Sequence, residues 1–251
     1  MQGAASPDPS IVYVDAWALR NDRITLVEKG APHSLPLMES GKLLPGVKVV
    51  IANPETKGQC ADSHLGEIWV ASQHNASGYF SIFGEEAHLH TDHFNAKLQF
   101  GDTSTVFART GYLGFLRQTE SITADGELHD AVFIVGAIDE TMMLRGMRYH
   151  PIDVETSVIR SHRRIVESAV FTWTSLLVVV AETDASESEA LDLVPAITSA
   201  LLEDHHLTVG VVVLCDPFTI PINSRGEKQR MHLRDAFVKD QLDPLYVAYN
   251  M

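Results

Sequence analysis

The periodicity of the chain changes once, near residue 139, and that change constrains the fold more than any single motif. From residue 11 to about residue 135, apolar residues fall in short runs: Ile11-Val-Tyr-Val14, Arg23-Ile-Thr-Leu-Val27, Val47-Lys-Val-Val-Ile51, Glu67-Ile-Trp-Val70 and Ala131-Val-Phe-Ile-Val135. Gly46, Asn53-Pro54, Gly58 and Gly66 separate them, as turn residues separate strands. A barrel or sandwich is the natural reading of this half. Beyond residue 139 the pattern alternates. Ile152, Glu155, Val158 and Ile159 stand at helical spacing behind Pro151, which is tolerated at a first helical position because the missing N–H has no partner there anyway. Strands at Ser168–Trp173 and Leu176–Ala181 follow, then a helix within Ser186–Asp204 that contains Pro195. A strand at Val209–Cys215 and a last helix near Lys228–Lys239 complete a small α/β domain.

Composition then removes whole classes of function. Among 251 residues, 33 are acidic and 19 basic, a formal charge of −14. Nucleic acids and anionic lipid surfaces are poor partners for such a chain, because their recognition depends on clustered Lys and Arg. The two cysteines, Cys60 and Cys215, are far apart and have no C-x-x-C neighbour, which fits a reducing compartment rather than a disulfide framework or a zinc site. No basic, then apolar leader opens the sequence, and no apolar run approaches the ~20 residues that cross a bilayer. A cytosolic protein is expected, without a transmembrane segment.

The residues that carry chemistry lie between Phe107 and Glu155, with Gly66-Glu-Ile-Trp-Val70 before them and Pro221 to Arg230 after them. Together they resemble the late motifs of AMP-forming acyl ligases. In that family a Gly-Glu-Ile-Trp-Val strand precedes a Gly-Tyr-Trp segment, and here Ser77-Gly-Tyr-Phe80 follows Val70. The family's Arg-Thr-Gly-Asp-Leu-Gly-Phe appears as Arg109-Thr-Gly-Tyr-Leu-Gly-Phe115. Tyr112 replaces the aspartate that holds both ribose hydroxyls, and a phenol cannot supply two charged acceptors. The hinge motif corresponds to Gly136-Ala-Ile-Asp-Glu-Thr-Met-Met-Leu-Arg145-Gly-Met-Arg-Tyr-His-Pro151-Ile-Asp-Val-Glu155. By position Asp139 is the hinge, Ala137 replaces an arginine near the ribose, and Arg148 stands where some members contact phosphate. The terminal Pro-Lys-Thr-Ser-Ser-Gly-Lys loop reads Pro221-Ile-Asn-Ser-Arg-Gly226-Glu-Lys-Gln-Arg230. Glu227 takes the place of the catalytic lysine, and Lys228 follows one residue late, on the other side of the chain unless the loop is altered.

With the ending Asp243-Pro-Leu-Tyr-Val-Ala-Tyr-Asn-Met251, these departures resemble the C-terminal part of the second fatty acyl-AMP ligase-like module of the disco-interacting protein 2 family. The resemblance implies an α+β fold: residues 1–138 form a β-rich, barrel-like subdomain of the adenylate-forming domain, and residues 139–251 form the mobile C-terminal α/β domain. It implies a parent module that uses ATP and Mg to activate or bind fatty acyl carboxylates, with a role in lipid metabolism and diacylglycerol balance. Site residues implied are Lys228 as catalytic lysine, Tyr112 and Arg148 at the nucleotide and Asp139 at the hinge, with no metal site. Neither the phosphate loop nor the metal-site glutamate motif occurs in the chain, so acyl substrate and adenylate would be held through an N-terminal part and other modules of the same protein. ATP or AMP is therefore not expected to bind the fragment tightly, nor the fragment to turn over.

Three departures, at Tyr112, Ala137 and Glu227, support an alternative of another class, a degenerate ligase fold kept as a binding or scaffolding module. A third reading keeps adenylation but passes the acyl group to an acceptor other than coenzyme A. Lys228 reads equally as a solvated lysine, and Tyr112 as filler of a lost pocket. The stretch His88-Leu-His-Thr-Asp-His93 reads as solvated loop before metal site. Asn75-Ala-Ser77 is a glycosylation sequon without a secretory context, and His205-His206 reads as a helix end.

Overall fold

Strand β5 (Ala108–Glu120), the longest strand of the described residues, organises the first half of the chain: its first part pairs with one neighbour and its later part with the other. The computed structural model describes residues 10–78, 92–120, 128–185 and 187–249. Its contacts divide the chain into two units, Met1–Asp139 and Glu140–Met251.

In the first unit β5 lies between β4 (Gly66–Ala71) and β6 (Leu128–Ala137), and the six-stranded sheet runs β1-β2-β6-β5-β4-β3. The remaining strands are β1 (Ile11–Asp15), β2 (Ser34–Lys42) and β3 (Lys48–Ala52), and every neighbouring pair is antiparallel. Strands β1 and β3 are the sheet's two edges, so the β-rich unit is open and not a closed barrel. A single-turn helix, α1 (Ala16–Leu19), follows β1, its N-terminus capped by the Asp15 carboxylate. Residues 23–27, expected as a strand, make only isolated bridges, Val14 to Leu26 and Arg23 to His64. Side chains alternate across the pleat, which puts Val50, Ala52, Trp69 and Phe107 in one cluster and Ile51, Ile68 and Val132 in another. Gly114 is a packing requirement: a Cβ there would lie 2.3 Å from the Phe133 carbonyl oxygen and 2.6 Å from Ile68 Cδ1.

The second unit begins with a hairpin, β7 (Met142–Leu144) and β8 (Met147–Tyr149), and then α2 (Pro151–Ser161). Strands β9 (Ile165–Trp173), β10 (Leu176–Thr183), β11 (Val209–Cys215) and β12 (Tyr246–Tyr249) make a sheet of order β12-β11-β10-β9. Helix α3 (Glu187–His205) connects β10 to β11, the sheet's one parallel pair, and α4 (Arg230–Val238) precedes β12. Both faces of this sheet are covered. Leu177, Val179 and Ala181 face α2 and α3, where Val154, Val158, Leu193, Ile197 and Leu201 are buried, while Val178 and Val180 join the cluster of Leu233 on α4. Burial on two faces makes β10 and β11 continuously apolar rather than alternating. Pro195 sits inside α3, which continues through it. Among the described residues no helix is long and apolar enough to cross a membrane.

A buried carboxylate fixes α2 against its surroundings. Glu155, 2% exposed, accepts from Arg230 Nε at 2.7 Å, Arg230 Nη2 at 2.9 Å, Lys228 Nζ at 3.0 Å and the Val170 backbone N–H at 3.1 Å. Arg230 Nη1 donates to Glu140 at 2.7 Å. Burial opposes the charge on Glu155, but the hydrogen bonds and positive charges of Arg230 and Lys228 outweigh it and hold the carboxyl below its ordinary value of 4.5.

Two outcomes follow from this packing. Gly114→Ala should lower stability by about 1–3 kcal/mol, the range for overpacking, read as a lower urea midpoint. A folded pKa held below the unfolded one stabilises fully above the unfolded value, near 4.5 for this carboxyl, and that stability disappears as pH falls through the folded value. Glu155→Gln leaves Arg230 with Glu140 and Lys228 with Glu167, and it should cost about 1–3 kcal/mol at pH 7 through the charged hydrogen bonds it removes. The gap in urea midpoint between Glu155→Gln and the unaltered chain should hold down to about pH 4.5 and narrow below it; a constant gap down to about pH 3 would show that folding does not lower the pKa of Glu155.

Candidate functional site

Glu67 occupies the middle of an apolar strand, a costly place for a carboxylate unless every lone pair is used. It is fully buried, and its oxygens accept from Arg109 Nε at 2.9 Å, Arg109 Nη2 at 2.8 Å and the Gly111 N–H at 3.1 Å. The Arg109 guanidinium also lies over the Trp69 ring, 5.7 Å from its centroid. Glu67 thereby closes a bulge: Trp69 pairs with Arg109 and Glu67 with Leu113, leaving Thr110, Gly111 and Tyr112 opposite Ile68. Thr110 Oγ1 donates to the Ile68 carbonyl at 2.7 Å and accepts from the Tyr112 N–H at 3.2 Å. Gly111 has φ +74°, a left-handed conformation that glycine adopts without a Cβ clash, and its carbonyl accepts from Ile138 N–H at 2.8 Å. Bulges of this kind re-aim side chains beside functional sites.

The bulge opens onto a cavity of about 390 Å³ whose lining includes Arg109, Tyr112, Ala137 and Asp139. Tyr112 and Ala137 are register partners on β5 and β6, and Asp139 is exposed. Two of the residues singled out by sequence, Tyr112 and Asp139, thus line one cavity, together with the altered position Ala137. Arg109 brings no net charge to it, since Glu67 already neutralises the guanidinium. Tyr112 and Thr110 also line a second, apolar cavity of about 450 Å³ with Val49, Val70, Val132 and Ile134.

Arg148 and Lys228 belong to the second unit. Arg148 lies on β8, opposite Met143. Lys228 Nζ donates to Glu155 at 3.0 Å, to Glu167 at 2.8 Å and to the Ser168 carbonyl at 2.7 Å, which occupies all three ammonium hydrogens. Glu227, in the family's lysine position, is held by Asn223 Nδ2 at 2.6 Å and Arg225 Nη2 at 3.0 Å. Sequence reasoning singled out neither Glu67, Glu155 nor Arg230 as a site residue; the available signal was an acidic residue inside an otherwise apolar or helical pattern. His205 ends α3 as read from sequence, but it is buried, with Nε2 2.8 Å from Ser157 Oγ and Nδ1 3.4 Å from Asp153. With Ser157 only 2% exposed, this Asp-His-Ser array packs two helices together and is closed to substrate. Residues 88–91 of the histidine-rich stretch and 79–80 of the Gly-Tyr-Phe segment lie outside the described residues.

Residues 139–246 match the family model described as Disco-interacting protein 2-like, AMP domain. The whole chain is similar to Disco-interacting protein 2 homolog A of Homo sapiens, 69% identical over 251 residues. It spans 16% of that relative's length. A medium-chain-fatty-acid–[acyl-carrier-protein] ligase of Moorena producens, JamA, is 32% identical over 244 residues, a match that covers 93% of this chain and 38% of the relative. Among solved structures, one from work on fatty acyl-adenylate ligases of E. coli and L. pneumophila superimposes with a TM-score of 0.69 at 20% identity, covering 92% of this chain and 38% of that one. The fold is that of adenylate-forming ligases, and the chain belongs to the disco-interacting protein 2 family, of which it carries part of a fatty acyl-AMP ligase-like module.

Proposed function

We propose that the chain is the C-terminal part of a module that activates fatty acyl carboxylates with ATP. In that reaction the carboxylate attacks the α-phosphorus, the bond to pyrophosphate breaks, and acyl-AMP is released or handed on. The observation that carries this reading is the Glu67-clamped bulge, which spends several buried hydrogen bonds to hold Tyr112 at a cavity of ligand size. In this reading Tyr112 and Asp139 are the polar groups that a ribose edge would meet in a lining otherwise largely apolar, while Arg109 is already neutralised. Triphosphate charge and Mg would be held by the rest of the module, with Arg148 contributing a phosphate contact. In this reading residues 1–138 complete the adenylate-binding domain, and residues 139–251 are a mobile domain that turns about Asp139 for the second half-reaction. Cytosolic lipid metabolism, including diacylglycerol balance, is the setting the family implies.

Lys228 serves as the catalytic lysine here only by exchanging Glu155 and Glu167 for the reacting carboxylate and phosphate. Its alternative role is to pin the loop, in which case the module binds without turnover. The complete module should be assayed for acyl-AMP formation from radiolabelled fatty acid and ATP, beside Lys228→Ala and Glu227→Ala, with unfolding midpoints measured on each. Acyl-AMP from the unaltered module, lost by about a hundredfold or more in Lys228→Ala and kept in Glu227→Ala, supports adenylation with the displaced lysine. Loss of stability without loss of activity in Lys228→Ala makes it a positioning residue. No product from any folded version across a panel of acids would overturn the activity and favour the binding module.

A further inference from the structure

In the Glu140–Met251 unit three connections converge on one cavity of about 380 Å³, lined by residues of the β7–β8 turn, the β9–β10 turn and the passage from α3 into β11. Five residues of these connections have left-handed backbone: Arg145 at φ +51°, Gly146 at +79°, Thr174 at +46°, Ser175 at +70° and His206 at +56°. Two-residue hairpin turns call for positive φ at both positions, yet four of the five carry a side chain, and one of those is β-branched, a combination that costs energy and is enriched where ligands are clamped.

Arg145 is the one charged residue of the lining. Its Nη1 donates to the His206 carbonyl at 3.3 Å and its Nη2 to Thr208 Oγ1 at 3.2 Å, both neutral acceptors. Among the described residues no carboxylate pairs with it, in a chain with 33 acidic residues against 19 basic ones. The guanidinium is therefore oriented by two bonds while Nε–H and a further N–H on each Nη are unspent. Beneath it Leu144, Leu176, Leu177 and Leu207 supply the apolar part of a lining that is about half polar, with Met143, 63% exposed, at the opening. A thioether there adapts to ligands of different shape.

We propose that this cavity binds a small amphiphilic carboxylate, its oxygens on the Arg145 fork and its short hydrocarbon body against Leu176, Leu177 and Leu207. A single planar cation matches one carboxylate in a bidentate manner. A phosphoryl dianion would keep a charge without a partner here. The volume lies at the small end of ligand pockets, which limits the body to a short or medium chain. The site lies wholly within one unit and does not depend on the nucleotide reading of Tyr112.

The test is a titration of the ¹⁵N-labelled chain with sodium octanoate, followed by amide chemical shifts, with octan-1-ol and sodium chloride as controls. Saturable shifts confined to residues 143–146, 175–177 and 207–210 are expected with octanoate alone. Arg145→Asn removes the charge while asparagine accepts the left-handed turn, and it should weaken binding about tenfold or more. Absence of saturable shifts at those amides, equal binding by octan-1-ol, or unchanged affinity in Arg145→Asn would each overturn the site.

Discussion

The second unit depends on the saturation of Glu155. Its two oxygens receive four donors from α2's neighbours, namely the β9 backbone, Lys228 in the loop before α4 and Arg230 at the start of α4. A carboxylate this deep is tolerable only when fully paired, and removal of any partner leaves the rest of the charge buried and exposed to the full desolvation cost. The network is thus cooperative in its failure. Glu67 plays the corresponding part in the first unit, where one buried acid fixes both Arg109 and the Gly111 amide and so shapes the bulge. Each unit is organised around a buried acid whose hydrogen bonds determine where the loops beside it point.

The placement of Lys228 gains its meaning from that network. Its ammonium is drawn between Glu155 and Glu167 and satisfied there. The neighbouring Glu227 is matched by Arg225 and Asn223. Adjacent side chains of the loop therefore serve different partners, and each charge is neutralised where it lies.

Much of the second unit was legible in the sequence because its signals are local. Val209–Cys215 is a strand wholly buried on two faces and hence uninterrupted by polar residues, and α2 declares itself through Pro151 and the spacing of Ile152, Glu155, Val158 and Ile159. Strand β2 was not legible: Pro36 and Gly41 disturb its alternation, which survives only because Leu35 and Leu37 point inward. The run at Arg23–Val27 looked like a strand by composition but finds only isolated bridges, since pairing and not propensity decides a strand. Strand β5 was read as a binding motif, and its 13-residue length was hidden by two glycines. The destinations of Glu67 and Glu155 could not be read at all, because their side-chain partners lie 42 and 73–75 residues away.

Tyr112 stands between two cavities, the one beside Arg109 and Asp139 and the one lined by Val49 and Ile134. A phenol suits that border, because its ring packs with Val49 and Ile134 while its hydroxyl keeps a polar group available. An aspartate at this position would set a charge beside that apolar wall, at a cost in solvation. One side chain thus forms part of two walls, so an exchange at position 112 reshapes both cavities at once and neither can be altered there independently.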